Sequence, residues 1–165
     1  MHEIDKIDRN IVNLLIEDGR MQAAEIARRL GGEVSERAIR YRIQRLIDEQ
    51  IIHISAVPNP HALGFQVVAD VFLDVEPGRI EEVARVLAEH ELVSYVAYAI
   101  GERDLSVQIV GRSNADVYTF TTEYIGKLPG VRRTTTSIVP LTLKDVHQWR
   151  IPHSAVKKAP TPPVE

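Results

Sequence analysis

Cysteine is absent from the 165 residues. That excludes disulfides, thiolate metal sites and cysteine nucleophiles, and it is compatible with a reducing compartment. No apolar run approaches the roughly 18–20 residues that a membrane-spanning helix needs. The opening Met1-His2-Glu3-Ile4-Asp5 lacks the basic start and apolar stretch of a secretory signal. The expectation is a cytoplasmic protein with no membrane partner. The six histidines (His2, His53, His61, His90, His147 and His153) are scattered, and none stands four residues from another with a glutamate as a helical zinc site requires. P-loop, dinucleotide and Gly-x-Ser-x-Gly fingerprints are missing too. No cofactor is expected, and an enzyme has little support. An excess of positive charge is also lacking: the net charge is −3. A protein that coats nucleic acid nonspecifically would be basic throughout.

The distribution of charge says more than its sum. Residues 35–46 hold four arginines, Arg37, Arg40, Arg42 and Arg45, against one acid, Glu36, a local net of 4 − 1 = +3. Around this segment the apolar residues repeat with helical period. Ile7, Ile11, Leu14 and Leu15 form one face of a first helix. Asp5 and Asp8 stand at its start, where carboxylates suit the free N–H groups, and Gly19 offers a left-handed stop. Ala23, Ile26, Ala27 and Leu30 mark a second helix, stopped by Gly31-Gly32. Ser35 then offers an N-cap for a third helix carrying Ile39, Ile43, Leu46 and Ile47 on one face.

Three short amphipathic helices close a core only by packing on one another, and the second and third have the layout of a helix-turn-helix. The outward face of the third holds Arg37, Arg40, Tyr41 and Gln44, flanked by Arg42 and Arg45. Arginine pairs with guanine or phosphate and glutamine bonds adenine, so this face suits the major groove of double-stranded DNA. Arg28 and Arg29 on the second helix, with Arg42 and Arg45, are expected at phosphates. The bland alternative is a solvated basic face on an ordinary helical bundle.

Residues 51–57 are β-rich and end at Pro58, and Pro58-Asn59-Pro60 is a stiff break. From Phe65 the period changes. Strands are expected over 66–75, 92–100, 105–110 and 131–141. One helix follows Pro77-Gly78 with Ile80, Val83, Ala84 and Leu87 on its face. Another is capped by Ser113 and carries Val117, Tyr118, Thr121, Tyr124, Ile125 and Leu128. The order βαββαβ is ferredoxin-like. The fold class is therefore α+β: a winged-type helix-turn-helix unit of three helices over 1–50, a linker strand and hinge over 51–64, a βαββαβ domain over 65–142, and a tail over 143–165. The open face of the sheet and the partly apolar second strand, with Tyr95 and Tyr98, predict self-association. In the tail, Trp149 is the expected packing residue and the Pro-rich end is expected to be disordered.

Several segments, in this order and spacing, resemble the Lrp/AsnC (feast/famine) family of transcription regulators. They are Ile4-Asp5-Lys6-Ile7-Asp8-Arg9-Asn10-Ile11, Glu17-Asp18-Gly19-Arg20-Met21, Glu25-Ile26-Ala27-Arg28-Arg29-Leu30-Gly31, Tyr41-Arg42-Ile43-Gln44-Arg45-Leu46 and Gly101-Glu102-Arg103-Asp104-Leu105. One departure is the turn over 31–35, longer than the family's usual Leu-Gly-apolar-Ser connection. The resemblance implies that the N-terminal unit reads DNA and that strand 51–57 pairs with its copy in a homodimer. It implies that the βαββαβ domain builds the dimer and higher oligomers, tetramers or octamers. It also implies a small-molecule effector, often an amino acid, near the Gly-x-x-Asp turn. The candidate effector residues are Tyr98, Gly101, Glu102, Arg103, Asp104 and Thr135; the alternative is that Gly101 only permits a tight turn and Asp104 only caps it. The runner-up resemblance is to sirohaem decarboxylases, which share both domains and would use His90, Arg103, Arg132 or Arg133 around a tetrapyrrole.

Overall fold

The computed structural model describes residues 3–156, and these divide into two compact units. One comprises residues 3–57 together with 143–156, the other residues 58–142. The expected disorder of the Pro-rich end falls largely on residues 157–165, outside the described residues.

The first unit is helical. Helix α1 spans Lys6–Glu17, α2 Ala23–Arg29 and α3 Glu36–Asp48. Asp5 opens α1 with a capping box: its side chain accepts from the Asp8 N–H, and the Asp8 side chain accepts from the Asp5 N–H. Ile11, Ile26 and Ile39, one from each helix, are fully buried in a shared core with Ala23. That is the packing the helical periodicity predicts. Gly31 and Gly32 end α2 in left-handed conformations at φ 80° and 74°. Their N–H groups return to the carbonyls of Arg28 and Ala27, at 3.1 and 3.0 Å, the pairing of a Schellman stop. Gly19 does not act this way: α1 ends on an extended Asp18, and Gly19 is not among the left-handed residues. Residues 51–57 form no ladder with other described residues. Ile51 and Ile52 instead pack against a second helical cluster made by Ile4, Val12, Leu46 and Ile151. The tail therefore docks through Ile151, not through Trp149, which is 58% exposed.

The second unit is an antiparallel sheet in the order β2-β3-β1-β4, with β1 Val67–Val75, β2 Val93–Tyr98, β3 Leu105–Gly111 and β4 Val131–Val139. This is the ferredoxin-like arrangement. Helix α4 spans Ile80–Ala88; α5, Asn114–Thr119, continues as a π turn over Phe120–Tyr124 and a 3-10 turn over Ile125–Lys127. Strict alternation in β1 and β3 buries Ala69, Val71, Leu73 and Val75, with Leu105, Val107 and Ile109, beneath Val83, Leu87, Val117 and Ile125. Both helices thus cover the same face. Tyr118 is not part of that core; it is 70% exposed. The opposite face carries Val68, Asp70, Phe72, Asp74, Ser106, Gln108 and Thr135, a mixture of apolar and polar groups.

Candidate functional site

Helix α3 begins where the Ser35 side chain accepts the Ala38 N–H, at 3.3 Å. Its apolar residues then fix its rotation, since Ile39 and Leu46 are fully buried. Arg37, Arg40, Tyr41 and Gln44 consequently face solvent, with Tyr41 70% exposed. Arg40 bonds Glu36 one turn back, and Gln44 donates to Asp48 at 2.8 Å. Both contacts are exposed pairs within the helix, worth only a fraction of a kcal/mol against water (about 0.3–0.5). Neither holds its side chain away from a ligand. Arg37 has no side-chain partner among the described residues.

The other two arginines of α3 turn inward. Arg42 Nη1 donates to Asp5 Oδ2 and Asp8 Oδ1, both at 2.7 Å, and Arg45 Nη2 donates to Asp8 Oδ2 at 2.6 Å. Asp8 is 1% exposed. Arg42 and Arg45 were expected at phosphates; here their guanidinium groups tie α3 to the start of α1. The cause is position: Arg42 lies three residues after Ile39 and four before Leu46, so it borders the buried stripe. At Asp5 partial burial pushes the carboxyl pKa up, but the Asp8 N–H and the Arg42 guanidinium outweigh it and the net direction is down.

Arg28 and Arg29 lie exposed on α2 and share one carboxylate. Arg28 meets Glu25 through two nitrogens at 2.8 and 2.7 Å, and Arg29 Nε meets it at 2.8 Å. Hydrogen bonds from Arg28 and then Arg29 hold the Glu25 carboxyl pKa at about 2. The sequence marks Asp5 and Asp8 only as residues favourable to a helix start and gives Glu25 no role. The available signal was two carboxylates and two arginines, Asp5/Asp8 and Arg42/Arg45, each pair three apart and on helices expected to pack.

In the second unit, the connection between β2 and β3 is stitched by Asp104. Its carbonyl accepts from the Ala99 N–H at 2.8 Å and its N–H donates to the Leu73 carbonyl at 2.9 Å. Its carboxylate Oδ2 accepts the N–H of Val75 at 2.8 Å. Gly101 takes φ 143°, a conformation side chains resist. Arg103 Nη1 bonds both carboxylate oxygens of Asp74 at 3.0 Å. Glu102 and Tyr98 are exposed, and Thr135 lies opposite Phe72 on the sheet face without helices. The four turn residues are thus contiguous, with Tyr98 just before them, but Asp104 and Arg103 already hold structural contacts. The residues proposed for a tetrapyrrole are also engaged separately. His90 packs against Phe120 and Tyr124 at ring distances of 4.4 and 4.7 Å and accepts the Leu92 N–H, while Arg132 donates to the Val75 carbonyl.

Comparison with known proteins finds two family matches along the chain. An AsnC-type helix-turn-helix domain matches residues 4–47, and an Lrp/AsnC ligand binding domain matches residues 68–149. The chain is 36% identical over 148 residues to an uncharacterized HTH-type transcriptional regulator of Pyrococcus abyssi, covering 89% of this chain and 90% of that protein. It is 34% identical over 149 residues to the HTH-type transcriptional regulator FL11 of the same organism, covering 90% and 97%. Its fold matches that of a Neisseria meningitidis transcriptional regulator solved as an L-Met complex, with a TM-score of 0.82, 21% identity and 92% and 99% coverage. It likewise matches Escherichia coli AsnC, with a TM-score of 0.78, 22% identity and 87% and 97% coverage. The families and relatives are transcriptional regulators rather than enzymes, and the decarboxylase alternative is not favoured. The chain belongs to the Lrp/AsnC family of transcriptional regulators, with a DNA-binding helix-turn-helix ahead of a ligand-binding domain.

Proposed function

We propose that α3 enters the major groove and reads bases with Arg37, Arg40, Tyr41 and Gln44. The observation that carries this reading is the division of the α3 arginines. Arg42 and Arg45 are spent on Asp8, whereas Arg37 and Arg40 stand in solvent beside an amide and a phenol. Arg28 and Arg29, at the end of α2, are suited to phosphates once Glu25 releases them. Ser35 aims the helix as its cap, and its neighbouring backbone N–H groups suit a phosphate. Two subunits of a cytoplasmic homodimer present two such helices one DNA turn apart, so the operator is roughly palindromic. The sheet face without helices, carrying Val68, Phe72 and Thr135, is the surface we assign to self-association into the dimer and higher oligomers, tetramer or octamer. The effector is a small molecule, and an amino acid is the class we favour. The Neisseria relative solved with L-Met supports that class. Its proposed site is the Gly101–Asp104 turn with Tyr98 and Thr135.

The test uses an operator selected from random DNA by the wild-type protein. Arg40→Ala is expected to weaken operator binding by about 1–3 kcal/mol while leaving a scrambled duplex little changed. Equal losses on both would move Arg40 to the phosphate class, and no loss would remove α3 as the reading face. Calorimetric titration with the standard amino acids tests the effector, and silence across the panel would overturn that assignment.

A further inference from the structure

The helix-turn-helix match ends at residue 47 and the ligand-domain match at residue 149. The residues just beyond the second match return to the first domain. Ile151 is 9% exposed and shares a buried cluster with Ile4 and Val12 of the α1 region and Leu46 of α3. Arg9 Nε of α1 donates to the Ile151 carbonyl at 2.8 Å, which satisfies the backbone at the point of docking. Arg150 Nη2 pairs with Glu17 Oε1 at 3.2 Å near the other end of α1. Val156, after a 3-10 turn over His153–Ala155, packs against the same cluster.

We propose that Ile151 is a positioning residue for DNA recognition, and that the segment around it is a working part of the reader rather than a tail. The proposal rests on the reading of α3 given above. Among the described residues α1 and α3 are joined by the core that Ile11 and Ile39 share, by the Asp8 ion pairs and by this apolar cluster. The ion pairs tie α3 to the start of α1. The cluster also contains Leu46, in the last turn of α3, and Ile151 completes it. Interiors are close-packed, so removing one side chain from a junction of two helices lets them shift. Recognition geometry tolerates misplacement of only about 0.5 Å. A shift of α3 therefore costs base contacts first. Contacts to phosphates, made by long and mobile side chains, survive it.

The experiment measures anisotropy of the full chain on the selected operator and on a scrambled duplex, well below the unfolding temperature. Ile151→Asp is expected to lose about ten-fold or more on the operator and at most about two-fold on the scrambled duplex. Ile151→Val is expected to stay within about two-fold on both, because the apolar contact is largely kept. Should the aspartate variant unfold the helical unit, Ile151→Ala gives the same comparison without burying a charge. Faster amide exchange in α3 than in α2 is the accompanying signature. Retention of operator selectivity by the alanine or aspartate variant, with Arg40→Ala still losing it, overturns the role of Ile151. If Arg40→Ala itself binds normally, the reading of α3 fails first, and the proposal falls with it.

Discussion

Asp8 and Arg42 meet across the helical unit at 2.7 Å, Oδ1 to Nη1, although 34 residues separate them. The same carboxylate takes Arg45 on its other oxygen and caps the Asp5 N–H. One buried carboxylate thus closes the N-terminus of α1 and ties it to the inner edge of α3. It determines which arginines of α3 remain for a ligand.

Removing that carboxylate leaves two guanidinium groups in a site built for a counter-charge. Breaking a fully buried pair costs about 3–5 kcal/mol. The arginine side chains here remain 25% and 30% exposed, so water screens part of the loss. Asp8→Ala is expected to destabilise the helical unit by about 2–3 kcal/mol in urea denaturation followed by helical signal. A variant as stable as the wild type would show that the ion pairs contribute no net stability.

In the proposed complex Glu25 competes with phosphates for Arg28 and Arg29. Its folded pKa of about 2 lies below the ordinary 4.5. Its pairing is therefore fully present above pH 4.5 and lost as pH falls from there toward 2. Glu25→Gln removes the charge at neutral pH instead. Operator affinity is expected to rise. Affinity for a scrambled duplex should rise in parallel, because phosphate contacts carry no sequence information. Unchanged affinity on both duplexes would remove both arginines from the DNA contact.

Asp104 accepts the N–H of Val75, a residue only 1% exposed. Asp104→Ala leaves that donor unsatisfied, which costs about 1–2 kcal/mol. The measurement is denaturation of the ligand domain together with amide exchange at Val75, which should accelerate. Lost amino-acid binding with stability and exchange unchanged would instead make Asp104 a ligand group with no structural duty.

Much of this was legible beforehand. The three apolar stripes, the Ser35 cap and the Gly31-Gly32 stop are local rules, and each is where the periodicity put it. The alternation in β1 and β3 predicted the buried face. The arginines of α3 were harder. A helical wheel places Arg42 and Arg45 on the border of the buried stripe, but an arginine there can reach outward or inward. The choice depended on a carboxylate from another helix. Trp149 was a poor guide for a similar reason: bulk alone does not say where a side chain finds a cavity.

Sequence alone determined the three N-terminal helices and the βαββαβ order, which follow from near-neighbour periodicity, caps and turns, and the order and spacing of its motifs carried the family resemblance. Tertiary structure decided which charges are spent and which are free, and that Ile151, not Trp149, returns to the reader. Those outcomes depend on contacts between residues 34 to 142 positions apart. No local pattern encodes such partners; only packing brings them together.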